Sequence, residues 1–148
     1  MSNEGKDTKY WVAVASKDHV AAGVAGGFAQ ANHGKKSPMA RMRRGDKIIY
    51  YSSKNEFGKP PPCQAFTAIG EVSDDQPYQG EMRDNNFVPH RRDVVYYPSQ
   101  EVPIRPLIEQ LQFITNKQKW GFMFRQGFFE ISREDYYLVA NAMTNAKG

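Results

Sequence analysis

Residues 28–36 place a flat ring (Phe28), two carboxamides (Gln30, Asn32), an imidazole (His33) and two ammonium groups (Lys35, Lys36) within one short segment. A ring of this kind can stack on a heterocycle, carboxamides and imidazole can hydrogen-bond a base edge, and cations can hold phosphate oxygens. The cationic run continues beyond this segment. Between His33 and Lys47 lie Lys35, Lys36, Arg41, Arg43, Arg44 and Lys47 against one acid, Asp46. The chain as a whole carries only +4, so the remainder is close to neutral. Such a block is what phosphates require, because each one neutralised releases condensed counterions. A solvated helix face without a partner accounts for the same charges. For His33 the plain reading is a loop residue in water, and the functional one is a partner to a base or phosphate beside Lys35.

Other chemistries fit less well. His19, His33 and His90 are scattered and lack carboxylates at ligand intervals, so no metal is expected. Cys63 follows a proline run, and an isolated cysteine is more often a small buried hydrophobe than an activated thiolate. Gly23, Gly26 and Gly27 are not followed by the Gly-Lys-Ser or Gly-Lys-Thr of a phosphate-binding loop, and they follow a helix rather than a strand, which excludes a dinucleotide fingerprint. No cofactor is called for.

Aromatic residues make up 13% of the chain, enough for a core and a lined groove together. Tyr50 and Tyr51 are adjacent in a strand and must point to opposite faces, so one can serve the core while the other lines a pocket. Trp11 and Trp120 are most simply core residues; the functional alternative is a wall on which a base stacks, with about 1–3 kcal/mol per base. Arg125, just before Gly127, can present a guanidinium to a phosphate or carbonyl, or form an ordinary surface ion pair.

These side chains need a scaffold. Tyr10–Ala15 reads as a buried strand ending at Ser16, whose hydroxyl can cap a helix over Lys17–Ala25 that Gly26 and Gly27 stop. Pro38 opens a short basic helix to about Arg44. Strands follow at Lys47–Ser52 and Gln64–Val72, the second with a bulge expected at Gly70. Asn55–Pro62, with its consecutive prolines, reads as an extended loop. Val88–Tyr97 reads as a strand, Pro106 starts a short helix to about Phe113, and the apolar run Trp120–Phe124 has no clear type. Gly127–Ile131 is a last strand before a helix launched by Ser132 with capping-box spacing and running to about Ala142. Five or so strands with three or four helices fit an α+β fold: a small, strongly curved sheet or open barrel with helices at its rim.

The 148 residues suffice for one domain, expected over 10–148 after a flexible tail at 1–9. A mean hydropathy of -0.69 and the lack of a long apolar run describe a soluble chain without a membrane span. One cysteine and no apolar leader suit a reducing compartment, and a cytoplasmic location is expected.

Taken in order, YWVAVASKDH, GGFAQANHGKKSPMARMRRGDKIIYYS, FTAIGEV, PHRRDVVYY, PIRPLI, WGFMFRQGFFEIS and the closing helix resemble the small bacterial EVE-domain proteins, relatives of the YTH and ASCH domains in a PUA-like superfamily. The resemblance covers Tyr10 to Met143. It implies a PUA-like mixed barrel with a cleft beside the basic loop, and a binding role, since relatives recognise RNA or modified nucleobases with a flipped base in an aromatic pocket. Phe28 stands five residues before His33-Gly34, where the YTH segment has a cage tryptophan. Ser16 resembles the serine after the first strand, Tyr51 and Ser52 fall on the strand that walls the cleft, and Arg125–Gly127 approach it from the other side.

The expectation is therefore a non-enzymatic module that binds RNA or modified DNA. A base pocket would draw on Trp11, Ser16, Phe28, Gln30, His33, Tyr51, Ser52, Trp120 and Arg125, with Lys35, Lys36, Arg41, Arg43 and Arg44 on phosphates. The alternatives are an enzyme acting on nucleotides or modified bases with His33 as general acid/base, and a small-molecule sensor or interaction scaffold.

Overall fold

Alternation along the strands sends neighbouring side chains into two different cores. In the computed structural model, which describes residues 5, 7–31, 34–56, 59–81 and 87–144, β1 (Tyr10–Val14) turns Tyr10 and Val12 to one side and Trp11 and Ala13 to the other. The strand β3 (Lys47–Glu56) does the same with Ile49 and Tyr51 against Ile48 and Tyr50. Strands covered on both faces read as unbroken apolar runs, and β1 and β3 are paired in parallel, Trp11 opposite Ile48 and Ala13 opposite Tyr50.

Around this pair the chain builds an eight-stranded, strongly curved sheet in the order β2-β6-β4-β3-β1-β8. Its further members are β2 (Phe28–Ala29), β4 (Lys59–Val72), β6 (His90–Tyr96) and β8 (Phe128–Ile131), with β5 (Tyr78–Gln79) on β6 and β7 (Val102–Pro103) on β4. One core lies under α3 (Arg133–Thr144) and the segment 104–124; the other lies under α1 (Lys17–Gly26) and α2 (Lys36–Arg41). The architecture is the expected α+β one.

The β3–β4 pairing explains how both cores stay in register. Tyr51 faces Phe66 but Tyr50 faces Ala68, so Thr67 is an extra residue on β4. That shift lets Phe66 and Ile69, an odd number of residues apart, point into the same core. The bulge is therefore not at Gly70, where it was expected. Gly70 instead admits a close strand approach, since a Cβ there would lie 2.6 Å from the carbonyl oxygen of Val95.

Other local expectations also change. Residues 59–62 belong to β4, with Lys54 opposite Pro62, because the fixed φ of proline is compatible with extended backbone even though its missing N–H disturbs the register. The basic helix starts at Lys36, leaving Pro38 in its first turn, where no intrahelical N–H is needed. The stretch after Pro106 forms a 3-10 turn, Arg105–Leu107, rather than a helix to Phe113, and its neighbours are tied by side chains. Asp135 accepts from the N–H groups of Gln112 and Phe113, and Lys117 Nζ donates to the carbonyls of Ile108 and Leu111. Trp120–Gln126 is a second 3-10 stretch. Within the segment expected as a tail, Lys9 is paired through its N–H with Asp46 and through its carbonyl with Lys47.

Candidate functional site

Between α1, β2, β3 and β6 lies a cavity of about 580 Å³. Its floor is Tyr50 of β3, one wall is Val20 and Gly23 of α1, and another is Phe28, Gln30 and Arg91. Ser16, His19, Ser53, Lys54 and Arg125 complete its polar lining.

The wall begins with two glycines. A Cβ at Gly23 would lie 2.7 Å from the carbonyl oxygen of Phe28, and one at Gly26 would lie 2.5 Å from the Phe28 ring. Only residues without side chains let the end of α1 pack this closely on β2. Tyr96 Oη then donates to the Phe28 carbonyl at 2.8 Å. Above the ring lies the Arg91 guanidinium, with Cζ 3.8 Å from the ring centroid. Arg91 Nε donates to Gln30 Oε1 at 2.9 Å, so its plane is held from a second side.

Tyr50 secures the same strand from below. Its Oη accepts from the Gln30 N–H at 3.0 Å and donates to the Gln30 carbonyl at 2.5 Å. Burial pushes the phenols of Tyr50 and Tyr96 far above the ordinary tyrosine range, so both stay neutral and act as fixed hydrogen-bonding groups. Among the described lining residues there is no carboxylate, and among the described residues no group of three His, Cys, Asp or Glu could hold a metal ion. What the arrangement offers is a flat ring and guanidinium wall with hydrogen-bond donors around an open space. Chemically, such a lining suits a planar, acceptor-bearing group.

Comparison with known proteins supplies the family. Residues 9–142 match the EVE domain. The chain belongs to the EVE domain family. A UPF0310 protein of Mycobacterium avium is 48% identical over 136 residues, covering 92% of this chain and 98% of that protein. The UPF0310 protein YdcG of Bacillus subtilis is 42% identical over 137 residues, 93% of each. Among solved structures, the YTH domain of the Zygosaccharomyces rouxii MRB1 protein, in complex with N6-methyladenosine RNA, is similar with a TM-score of 0.59 at 17% identity, over 95% of this chain and 90% of that one. A hypothetical protein from Leishmania major has a TM-score of 0.55 at 16% identity, over 93% of this chain and 96% of that one. The fold of this EVE domain is thus PUA-like.

In this EVE domain the residues singled out from sequence divide into two groups. Ser16, Phe28, Gln30 and Arg125 line the cavity. Ser16 does so without capping α1 through its side chain, because its hydroxyl donates to Asp18 Oδ1 at 2.5 Å. His33 lies outside the described residues.

The other four assignments need correcting. Tyr51 points away from the cavity into the α3-side core, stacked on Phe124 at 3.9 Å, because Tyr50 takes the cavity face of the strand. Ser52 is fully buried and hydrogen-bonded to Thr67 Oγ1 at 2.8 Å. Trp11 is 2% exposed, stacked on Phe128 at 4.9 Å, and its Nε1–H donates to Asp46 at 3.0 Å, so it has no face for a ligand. Trp120 packs beside the α3-side core with Arg105 above it.

The basic block is likewise not one surface. Lys47 is buried and bonded to Glu71 and Tyr97. Arg44 makes a two-point pair with Asp75 and donates to the Ser73 carbonyl. Arg41 covers the outer side of Trp11, 4.9 Å from the ring centroid. Lys35, Lys36 and Arg43 are exposed. None of these six is among the described residues that line the cavity.

Strand alternation sets Tyr50 and Tyr51 on opposite faces, but the pocket expected from sequence has Tyr51 where Tyr50 belongs, and it lacks His19, Ser53, Lys54 and Arg91 altogether. Consecutive arginines at 91 and 92 did carry a signal, since strand alternation requires them to face opposite ways. Arg92 is fully buried, donating to Asp74 and to the carbonyls of Met39 and Met42, and so ties α2 to the sheet. Arg91 is left on the cavity side.

Proposed function

We propose that this EVE domain is a non-enzymatic nucleic-acid-binding module that takes one nucleobase, in a modified form, into the cavity beside Phe28 and Arg91. The observation that carries this reading is the cavity itself, about 580 Å³ with a ring and guanidinium wall. Pulling a base from its strand costs a few kcal/mol, and stacking at about 1–3 kcal/mol per base together with edge hydrogen bonds offsets that. An added methyl group contributes roughly 0.8 kcal/mol when buried, so modification is sensed by fit. The likeness to a YTH domain captured with N6-methyladenosine RNA supports the same reading. So does the described lining, which offers the cations of Lys54, Arg91 and Arg125 and the neutral phenol of Tyr50, with no lining carboxylate to join His19 in acid–base work. On the exposed side, Lys35, Lys36 and Arg43 hold flanking phosphates without sequence preference.

The test is a gel-shift panel of RNA and DNA oligonucleotides with and without methylated bases. Wild-type protein binds a methylated oligonucleotide more tightly than its plain counterpart, and Phe28→Ala reduces that ratio. A ratio unchanged in Phe28→Ala removes the cavity from recognition. Absence of binding to every oligonucleotide at physiological salt removes the nucleic-acid role.

A further inference from the structure

Every permanently charged side chain on the described lining of the cavity is a cation: Lys54 from β3, Arg91 from β6 and Arg125 from the turn before β8. They come from three separate segments, so this is not the solvated face of one element. Asp18, the carboxylate that touches the lining residue Ser16, is occupied by the Ser16 hydroxyl and the His19 N–H. Asp93, two residues from Arg91 on the same strand, is hydrogen-bonded by Tyr78.

Arg91 is also held in place before any ligand arrives. Its guanidinium lies 3.8 Å over Phe28, and its Nε is spent on Gln30. Gly80 packs against its flank so closely that a Cβ there would be 2.5 Å from Nε. The Nη groups have no hydrogen-bond partner among the described residues, and the side chain is half-buried on the cavity lining. A half-buried guanidinium on a cavity lining, with its Nε committed and its Nη groups uncommitted among the described residues, can be met by a planar anion with two hydrogen bonds.

We infer that the cavity takes its heterocycle together with an anionic group on the same molecule, and that Arg91 is the residue that selects for it. The inference rests on the proposed base-binding reading and adds the charge of the occupant to it. The shared chemistry is an oxyanion next to a planar ring, supplied either by the nucleotide's own phosphate or by an acidic substituent on the ring. A volume of about 580 Å³ leaves room for more than a bare base.

Calorimetric titration with single compounds tests this without a strand. The probes are the four ribonucleosides against their 5′-monophosphates, uracil against its 6-carboxylate, and inorganic phosphate alone. At least one charged compound binds about tenfold or more tightly than its neutral partner, the factor expected of a charge-assisted hydrogen bond. Preference for the monophosphate assigns the charge to phosphate, and preference for the carboxylate assigns it to the ring. Arg91→Gln removes most of the preference, and circular dichroism checks that it folds. Arg125→Gln and Lys54→Gln, at positions away from the Phe28 stack, each reduce it in a folded protein.

Equal binding of charged and neutral partners overturns the inference, and so does a preference that survives all three substitutions. Phosphate alone binding as tightly as a monophosphate also overturns it, since the ring would then add nothing. If oligonucleotides fail to bind while monophosphates bind through Arg91, the strand-binding reading falls and this inference stands. If methylated oligonucleotides are preferred but charge makes no difference, the reverse holds.

Discussion

Tyr50 holds Gln30 by both backbone groups, accepting from its N–H at 3.0 Å and donating to its carbonyl at 2.5 Å. The segment after β2 has thereby exchanged ladder hydrogen bonds for one phenol, and the position of the Gln30–Arg91 wall depends on it. Tyr50→Phe keeps the ring but leaves two backbone groups short of a partner, which costs about 1–3 kcal/mol. Urea unfolding should show a lower midpoint with an unchanged slope, and base binding should weaken more than the stability loss alone accounts for.

Arg92 is the second structural anchor. Its guanidinium is fully buried and serves Asp74 and two carbonyls at the end of α2. Arg92→Met leaves the Asp74 carboxylate and both carbonyls without their donor, a loss of about 3–5 kcal/mol. Arg92→Lys rescues little, since a single ammonium cannot span the same acceptors. Thermal unfolding of the two variants tests this, and a fully stable lysine variant would contradict it.

The cations of the basic block should contribute unequally to nucleic-acid affinity. Lys35, Lys36 and Arg43 are exposed, whereas Arg44 is held by Asp75. Changing the first three to alanine flattens the dependence of log K on log salt by about 0.7 for each phosphate of a single strand that is no longer neutralised. Arg44→Ala leaves that slope nearly unchanged. Titrations at several salt concentrations measure both, and a slope that responds to Arg44 alone would refute the division.

Alkaline pH probes the buried phenols and the Lys47 cluster. Burial raises the phenols of Tyr50, Tyr51 and Tyr96 well above their ordinary value, while Tyr78 is pushed up to about 12, chiefly by burial. For Lys47, burial favours the neutral amine, but hydrogen bonds to Glu71 and Tyr97 outweigh it and the net shift is upward from 10.5. Groups whose values are raised in the folded state contribute stability that is complete below the unfolded values and lost as pH climbs through the folded ones. Stability should therefore hold to about pH 10 and decline above it. Tyrosinate absorbance should show Tyr50, Tyr51 and Tyr96 ionising only as the chain unfolds; their ionisation in still-folded protein would contradict the packing.

The strands β1, β6 and β8 were readable to within a few residues as apolar or β-branched runs, and α1 and α3 through the residues that bound them, Ser16 with Gly26 and Gly27 for one and Ser132 for the other. The two-residue strands β2, β5 and β7 carry no such signal, and their existence depends on pairing partners far away in sequence. Phe28 and Gln30 could be singled out because their chemistry is unusual next to a cationic run. Trp11 and Tyr51 have equally suitable chemistry, yet they are spent on packing.

The amino-acid order alone established the class of chain, the succession of its main elements, the family resemblance, and the rule that Tyr50 and Tyr51 must part company across a strand. The same rule holds equally for Arg91 and Arg92, although it was not drawn for them. Which member of each pair meets the cavity was decided only by tertiary structure. A period of two states that neighbours face opposite ways but not which way is outward. That choice comes from the parallel pairing of β3 with β1, the extra residue at Thr67, and the two helices that claim one face of the sheet while α3 claims the other.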